Sequence, residues 1–204
     1  MMKTRLLFFA GLLAVATNSF AQKAQDNTGY NAPVTQSQKL NLTNEWDKTF
    51  PKSDKVSHKK VTFHNRFGIT LAADMYIPKN TTSTRNASGK LPAIAVSGPF
   101  GAVKEQASGL YAQTLAERGF LTIAFDPSFT GESGGIPRNV ASPDLNTEDF
   151  SAAVDYLSTN ELVDADRIGI LGICGWGGLA INAAANDPRI KATVASTMYN
   201  MTRV

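Results

Sequence analysis

The stretch "GILGICGWGG", residues 169–178, places the chain's only cysteine, Cys174, between a run of small apolar residues and a cluster of glycines. The apolar run predicts a strand that is buried on both faces. The residues after Cys174 predict a helix from about 175 to 185, which ends before the pair Asp187-Pro188. Cys174 is therefore predicted on a strand-to-helix turn, where glycines allow unusual backbone angles and close packing. These glycines are Gly172, Gly175, Gly177 and Gly178.

The same alternation of strand and helix extends upstream and downstream of this turn. Continuous apolar runs predict buried parallel strands, and helical periodicity predicts helices between them. The predicted strands are residues 91–97, 120–126, 167–173 and 190–197, and the other predicted helices are 104–118 and 147–158, the latter capped by Asn146. Two alternating segments, 61–65 and 69–77, predict an antiparallel hairpin at the start. The sequence predicts an α/β fold with a mostly parallel sheet and an antiparallel N-terminal hairpin.

The amino terminus has the pattern of a secretory signal peptide. Lys3 and Arg5 precede an apolar run over residues 6–16, and the small-residue pattern Ser19-Phe20-Ala21 follows. The apolar run is shorter than the roughly 20 residues that a membrane-spanning helix needs. We therefore predict cleavage after Ala21 and an exported protein, periplasmic or secreted, without a stable membrane anchor.

Composition divides the remainder into a polar, flexible arm over residues 22–56 and one domain over 57–204. Trp46 and Phe50 suggest that the end of the arm docks on the domain. Removal of residues 1–21 takes away two basic side chains, so the formal charge falls from +3 to +1. No block of Lys and Arg remains that predicts a nucleic-acid partner. We expect no cofactor and no metal, and a single cysteine excludes a disulfide within the chain.

The position of Cys174 predicts chemistry. A helix N-terminus favours a thiolate, and the first backbone N–H groups of the helix point at an oxyanion that forms on a substrate. The opposing interpretation is a tight turn in which the cysteine is a small buried filler. Ser128 or Ser133 would be a different nucleophile, although neither is predicted on a strand-to-helix turn.

Three motifs in this order resemble the α/β-hydrolase superfamily, in particular its dienelactone-hydrolase-like and X-Pro dipeptidyl-peptidase/cocaine-esterase-like branches. They are "GICGWGG" at the turn, "SGPFG" (97–101) and "DPSFTGESGG" (126–135), and the resemblance runs from about residue 61 to 204. It implies that Cys174 is the nucleophile and that the N–H groups of Gly175 and of the loop around Phe100 bind the oxyanion. It also implies hydrolysis of a small ester, lactone or amide through a thioester.

The motifs depart from both branches. The turn around Cys174 that carries "GICGWGG" is called the elbow below. Trp176 stands where the common form of this elbow has glycine, which looks more like the peptidase and esterase branch. A cysteine nucleophile, by contrast, looks like the dienelactone-hydrolase branch. Gly98 stands where the latter has a glutamate, and Phe100 stands where cocaine esterases have a tyrosine that donates to the oxyanion. The natural substrate, the choice between esterase and peptidase, and the oligomeric state therefore stay open.

The resemblance also implies a catalytic acid and then a histidine after the nucleophile, on loops that follow later strands. Both histidines, His58 and His64, precede Cys174 and are interpreted as ordinary strand residues. Asp187 lies at the wrong end of the predicted sheet, and Glu132 receives no catalytic role. We therefore expect an amino-terminal part of a longer hydrolase that is inactive by itself. The alternative is a non-catalytic binding or interaction protein that keeps the hydrolase fold and an inert thiol.

Overall fold

A computed structural model describes residues 39–81 and 84–199 of the protein, so the predicted signal peptide and the first part of the arm lie outside the described residues. The elements are β1 (Val56–His64), β2 (Thr70–Pro78), β3 (Leu91–Ser97), α1 (Ala107–Glu117), β4 (Leu121–Phe125), α2 (Pro143–Ser158), β5 (Val163–Ile173), α3 (Gly175–Asn186) and β6 (Ile190–Ser196). None of the described helices is both long enough and apolar enough to cross a bilayer.

The six described strands form one sheet in the order β1-β2-β4-β3-β5-β6. β1 pairs with β2, and β2 with β4, in antiparallel orientation. The pairs β3 with β4, β3 with β5 and β5 with β6 are parallel. Each parallel connection passes through a helix, as the sequence predicts, because parallel neighbours need a long crossover. The α/β fold with an antiparallel N-terminal pair is confirmed.

Apolar side chains fill both faces of this sheet. On one face, the larger core joins inward residues of the strands to Phe150 of α2 and Leu179 of α3. On the opposite face, a smaller core joins Tyr76 and Val96 to Ala112 of α1. Side chains alternate along a strand, so β2 contributes Leu71, Ala73 and Met75 to the first core and Tyr76 to the second. This burial on two faces explains the continuous apolar runs of β3, β4 and β5. The prediction that the run over 190–197 forms a buried strand is wrong, because β6 lies at the edge of the described sheet and none of its residues is buried.

The start of α2 differs from the prediction. The N-cap is Ser142, whose side chain accepts from the Leu145 N–H, and Pro143 occupies the first turn. Proline fits there because its missing N–H has no helical partner at that position. Asn146, the predicted cap, is instead buried within the helix and donates to Asp149 over 3.1 Å. The prediction that Asn146 caps this helix is therefore wrong.

The segment before β1 packs on the domain. Phe50 is buried in the smaller core, and the Trp46 indole N–H donates to the Phe50 carbonyl over 2.8 Å. The Thr49 N–H donates to the Glu105 carbonyl over 3.0 Å. The buried ammonium of Lys48 lies 2.9 Å from the buried carboxylate of Asp74 in β2. Apolar burial and an ion pair thus hold residues 46–50 against β2 and the smaller core of the domain.

Candidate active site

Cys174 lies at the carboxyl end of β5 and is followed directly by α3. Its backbone has φ 59° and ψ −125°, a left-handed φ that is rare for a residue with a side chain. Three backbone hydrogen bonds hold it there: the Cys174 N–H donates to Ser196, and the Cys174 carbonyl accepts from Gly177 and Tyr199. Strained backbone of this kind clusters at functional sites because surrounding contacts must sustain it.

Glycine at position 172 lets α3 approach β5 closely. A Cβ on Gly172 would lie 2.2 Å from the carbonyl oxygen of Trp176, which is backbone and cannot rotate away. The strand and the first turn of the helix are therefore in direct contact. This contact fixes the side chain between them, Cys174, at the carboxyl edge of the sheet.

The Cys174 thiol is free and partly buried. Its side chain makes no capping hydrogen bond to α3. The first N–H groups of any helix lack partners within the helix, and the helix dipole places positive charge there. Gly175 is the first residue of α3, so its N–H lies at this terminus beside Cys174.

The loop after β3 lies against the elbow. Gly98 has φ +97°, and a Cβ on it would lie 2.4 Å from the Ile173 carbonyl oxygen and 3.0 Å from Trp176 Cβ. The rings of Phe100 and Trp176 are 5.5 Å apart. The Pro99 carbonyl accepts from the Ala102 N–H over 3.1 Å, which closes a turn around Phe100. The fold thus brings Cys174, Gly175 and Phe100 together from two adjacent loops.

Neither histidine lies near this elbow. Both belong to β1, and β2, β4 and β3 separate β1 from β5, so four strand spacings correspond to about 19 Å. His64 is an exposed strand residue. His58 has a specific partner that the sequence did not reveal, because its Nε2 lies 2.8 Å from Asp74 Oδ1. In the part of the chain that the structure describes, Cys174 has no histidine to activate it.

The two candidate serines have structural partners. The Ser128 hydroxyl donates to Asp149 over 2.8 Å, and the Ser133 hydroxyl donates to the Asp126 carbonyl over 2.7 Å. Ser133 Oγ also accepts from the Ala72 N–H. Both side chains are fully or almost fully buried, so neither is presented to a substrate. Burial raises the pKa of Asp149 even though it accepts hydrogen bonds from Ser128, Asn65 and Asn146.

A buried ion pair joins the two loops beside the elbow. Lys104 follows the "SGPFG" loop, and Asp126 begins the "DPSFTGESGG" loop. The Lys104 ammonium lies 2.9 Å from Asp126 and 2.6 Å from Glu132, and the Lys104 N–H donates to Asp126 over 2.7 Å. Burial opposes the charge of Lys104, but Asp126, Glu105 and Glu132 outweigh it and raise the pKa. Glu132 therefore stabilises the loop from within an ion network.

The network continues across the arm and β1. Lys60 lies 2.6 Å from Glu132 and 2.9 Å from Asp47. Burial opposes ionisation of Asp47, but hydrogen bonds from Lys48 and Lys60 lower its pKa from 3.8 to about 2. Burial likewise opposes ionisation of Asp74, and hydrogen bonds from His58 and Lys48 lower its pKa below the usual range. The network ties residues 47–48 to β1, β2 and both loops.

Three carboxylates of this network come close enough to share a metal ion. One oxygen each from Asp47, Glu105 and Glu132 lies within 4.8 Å of the others. However, ammonium groups already neutralise them: Lys60 lies within 3.5 Å of Glu105 and closer to the other two. The cluster is therefore a lysine-carboxylate network.

Sequence reasoning missed this network, although one signal was available. Asp74 stands in the middle of the otherwise buried, apolar strand β2 and is itself fully buried. A buried carboxylate requires a cation or several donors, so its position alone predicts a partner.

Asp187, which the sequence placed at the wrong end of the sheet for a triad acid, follows α3 at the edge opposite to Cys174 and pairs with Arg189 over 2.6 Å. A hydrogen bond from Arg189 lowers the pKa of Asp187.

Comparisons with known proteins agree with this arrangement. Residues 68–202 match the X-Pro dipeptidyl-peptidase (S15) family. The protein PA2218 of Pseudomonas aeruginosa is 70% identical over 165 residues, which are 81% of this chain and 43% of PA2218. Its crystal structure superposes with a TM-score of 0.77, over 82% of this chain and 50% of that chain.

Of two further relatives, one is described as a thiohydrolase, and the other has the α/β-hydrolase fold and is described as a polyketide transferase. The thiohydrolase aneE of Aspergillus aculeatus is 29% identical over 143 residues, which are 70% of this chain and 42% of aneE. The α/β hydrolase GrgF from a Penicillium species is 28% identical, with a TM-score of 0.59 over 67% of this chain and 44% of that chain. The chain thus spans about half the length of the relatives that it matches.

Proposed function

The chain belongs to the X-Pro dipeptidyl-peptidase (S15) family of α/β hydrolases, and we propose that it is the amino-terminal part of an exported hydrolase whose nucleophile is Cys174. The substrate is an ester, thioester, lactone or small amide. In the chemical step the Cys174 thiol attacks the substrate carbonyl, a thioester forms, and the alcohol, thiol or amine leaves with the thiol proton. Water then hydrolyses the thioester and frees the acid.

One observation carries this proposal: the left-handed backbone of Cys174 between a buried strand and a helix, with the Phe100 loop against it. This geometry supports attack by the thiol on a carbonyl group whose oxygen accepts from the helix N-terminus and from the Phe100 loop. A relative described as a thiohydrolase supports hydrolytic chemistry.

The acid and the histidine of the triad are proposed to come from the region that the relatives have beyond the match. Of the described histidines, both lie at the far edge of the sheet, across three intervening strands. Cysteine tolerates this absence best among nucleophiles, because a small fraction is already thiolate at neutral pH. The 204-residue chain is therefore expected to become acylated without sustained turnover.

The test is acylation of the purified chain by p-nitrophenyl acetate. We expect one acetyl group on the Cys174 peptide by mass spectrometry, at a rate above that of glutathione, and no acetylation at that position in Cys174→Ser. A thiol that acylates no faster than glutathione would contradict a catalytic elbow and favour a binding protein with an inert thiol. If the chain shows sustained turnover and Cys174→Ser abolishes it, Cys174 remains the proposed nucleophile, but the need for a further region is contradicted.

Export is proposed from the charged, apolar and small-residue pattern of residues 1–21. Expression of the full chain with a carboxyl-terminal tag in a bacterium tests it. We expect the periplasmic or secreted product to begin at Gln22 by amino-terminal mass spectrometry. Replacement of the apolar run with polar residues should retain the precursor in the cytoplasm. An uncleaved product in the cytoplasm of the unaltered chain would contradict export.

A further inference from the structure

Five large apolar side chains are exposed in the loops that surround the Cys174 elbow. β3, β4, β5 and β6 are parallel, so the loops after them meet at one edge of the sheet. Cys174 follows β5, and exposed apolar residues follow the other three strands. These residues, here called the apolar rim, are Phe100 after β3, Ile136 and Val140 after β4, and Met198 and Tyr199 after β6.

Direct contacts hold three rim residues against the elbow. Phe100 is 55% exposed, and its ring lies 5.5 Å from that of Trp176. A Cβ on Gly177 would lie 3.2 Å from Met198 Cβ, which places Met198 against the first turn of α3. The Tyr199 N–H donates to the Cys174 carbonyl over 3.3 Å. Phe100 and the Met198-Tyr199 pair therefore flank the thiol on opposite sides, because β3 and β6 flank β5.

The two described cations of the neighbouring loops are already engaged. Lys104 is almost fully buried with Asp126 and Glu132. The Arg138 guanidinium donates to the carbonyls of Ser133 and Gly131. Lys104 is therefore unavailable to an anionic substrate, and the exposed Arg138 already directs both terminal nitrogens of its guanidinium to carbonyls of its own loop. The surface around the thiol thus offers hydrocarbon and aromatic contacts in preference to charge.

We infer that the apolar rim receives the acyl group of the substrate, and that the substrate class is an ester or thioester with an extended apolar acyl chain. This inference rests on the proposed function, because it places the substrate carbonyl at Cys174. Exposed apolar patches beside a reactive group are typical of ligand-binding surfaces. An acyl chain that covers Phe100 on one side or Met198 on the other gains affinity as it leaves water.

Two alkylating agents with the same reactive group test the inference. Iodoacetamide and N-hexyl iodoacetamide both form a thioether at Cys174 and release iodide and the thiol proton. For the protein and for glutathione, we divide the alkylation rate with N-hexyl iodoacetamide by the rate with iodoacetamide. We expect this ratio to be about tenfold higher for the protein than for glutathione, because only the protein offers apolar surface. A ratio equal to that of glutathione would overturn the inference.

Variants locate the preference. Phe100→Ser and Met198→Ser should each lower the ratio several-fold. The matched control is Leu162→Ser, because Leu162 is 39% exposed directly before β5, at the opposite end of that strand from Cys174. This control should leave the ratio unchanged. A ratio that falls equally in all three variants, or in none, would contradict a site at the rim.

A binding measurement separates this inference from the proposed function. In a Trp46→Phe background, Trp176 is the only tryptophan, and it lies beside Phe100. Saturable quenching or enhancement of its fluorescence by N-hexylacetamide, weakened by Met198→Ser, would support the rim even if Cys174 proved unreactive. If this binding is observed but the Cys174 thiol is unreactive, only the proposed function is overturned. Fluorescence that does not respond would overturn the inference, whatever the thiol reactivity.

Discussion

The backbone of Gly98 lies against the carbonyl oxygen of Ile173, so that a Cβ on Gly98 would come within 2.4 Å of that oxygen. The contact joins the loop after β3 to the last residue before Cys174. It sets the distance between the two backbone segments that are proposed to bind one oxyanion. Gly98 also has φ +97°, which a residue with a side chain adopts at a cost.

Gly98→Ala should therefore weaken both the fold and the elbow. Overpacking costs about 1–3 kcal/mol in addition to the strain of the positive φ. Urea denaturation measures the free energy of unfolding, and alkylation of Cys174 by iodoacetamide reports on the elbow; both should change. Gly101→Ala is the control, because Gly101 shares the loop and a φ of +76° but has nothing within 4 Å of a Cβ. Equal effects of both variants would contradict the role of close approach.

Lys104→Met should destabilise the protein by about 3–5 kcal/mol, because it leaves the buried carboxylate of Asp126 without its cation. The double variant Lys104→Met/Asp126→Asn should recover part of this loss. Lys59→Met, at an exposed position of β1, should change the free energy of unfolding by less than about 0.5 kcal/mol. If Lys104→Met lowers the free energy of unfolding as little as the control does, the Lys104-Asp126 pair contributes little to stability.

Much of this fold was predictable from apolar runs, because strands buried on both faces must be continuously apolar. The four parallel strands and Cys174 after β5 follow from that pattern. The contacts of Lys48 could not be predicted, because a polar arm carries no periodicity that says where it docks. The start of α2 was misplaced because Asn146 resembles a cap, whereas Ser142 and Pro143 form the actual first turn.

Acid should destabilise the arm through Asp47. Its pKa in the folded protein is lowered from 3.8 to about 2 by Lys48 and Lys60, so the folded state holds the carboxylate more strongly than the unfolded chain does. This contribution is fully present above about pH 4 and is lost as the pH falls through about 2. The pKa values of Asp74 and Glu132 are also lowered and act in the same direction.

Urea titrations at several pH values below 5 measure this loss. Asp47→Asn should flatten the decline of the free energy of unfolding between about pH 4 and about pH 2. Asp54→Asn, at an exposed carboxylate of the same segment, should leave the decline as it is. A decline that is identical in the two variants would assign the acid sensitivity to other carboxylates.

Asn65→Ala, which lies outside the elbow, should clearly lower the free energy of unfolding. The Asn65 side chain is buried, accepts from the N–H groups of Phe67 and Ile69, and donates to Asp149 over 2.9 Å. Its removal leaves two N–H groups without their acceptor and takes one of several donors from the buried carboxylate of Asp149, at a cost of about 3 kcal/mol. Thermal and urea denaturation should both show the loss.

Asn86→Ala provides a matched comparison. The Asn86 side chain has the same pattern, because it accepts from the N–H groups of Ser88 and Lys90 and donates to Asp164 over 2.8 Å. That turn is only partly buried, so water can replace each lost partner. The loss should therefore be clearly smaller than for Asn65→Ala. Equal losses at the two sites would mean that local turn geometry, and not burial of the Asn65-Asp149 contact, holds the first hairpin to α2.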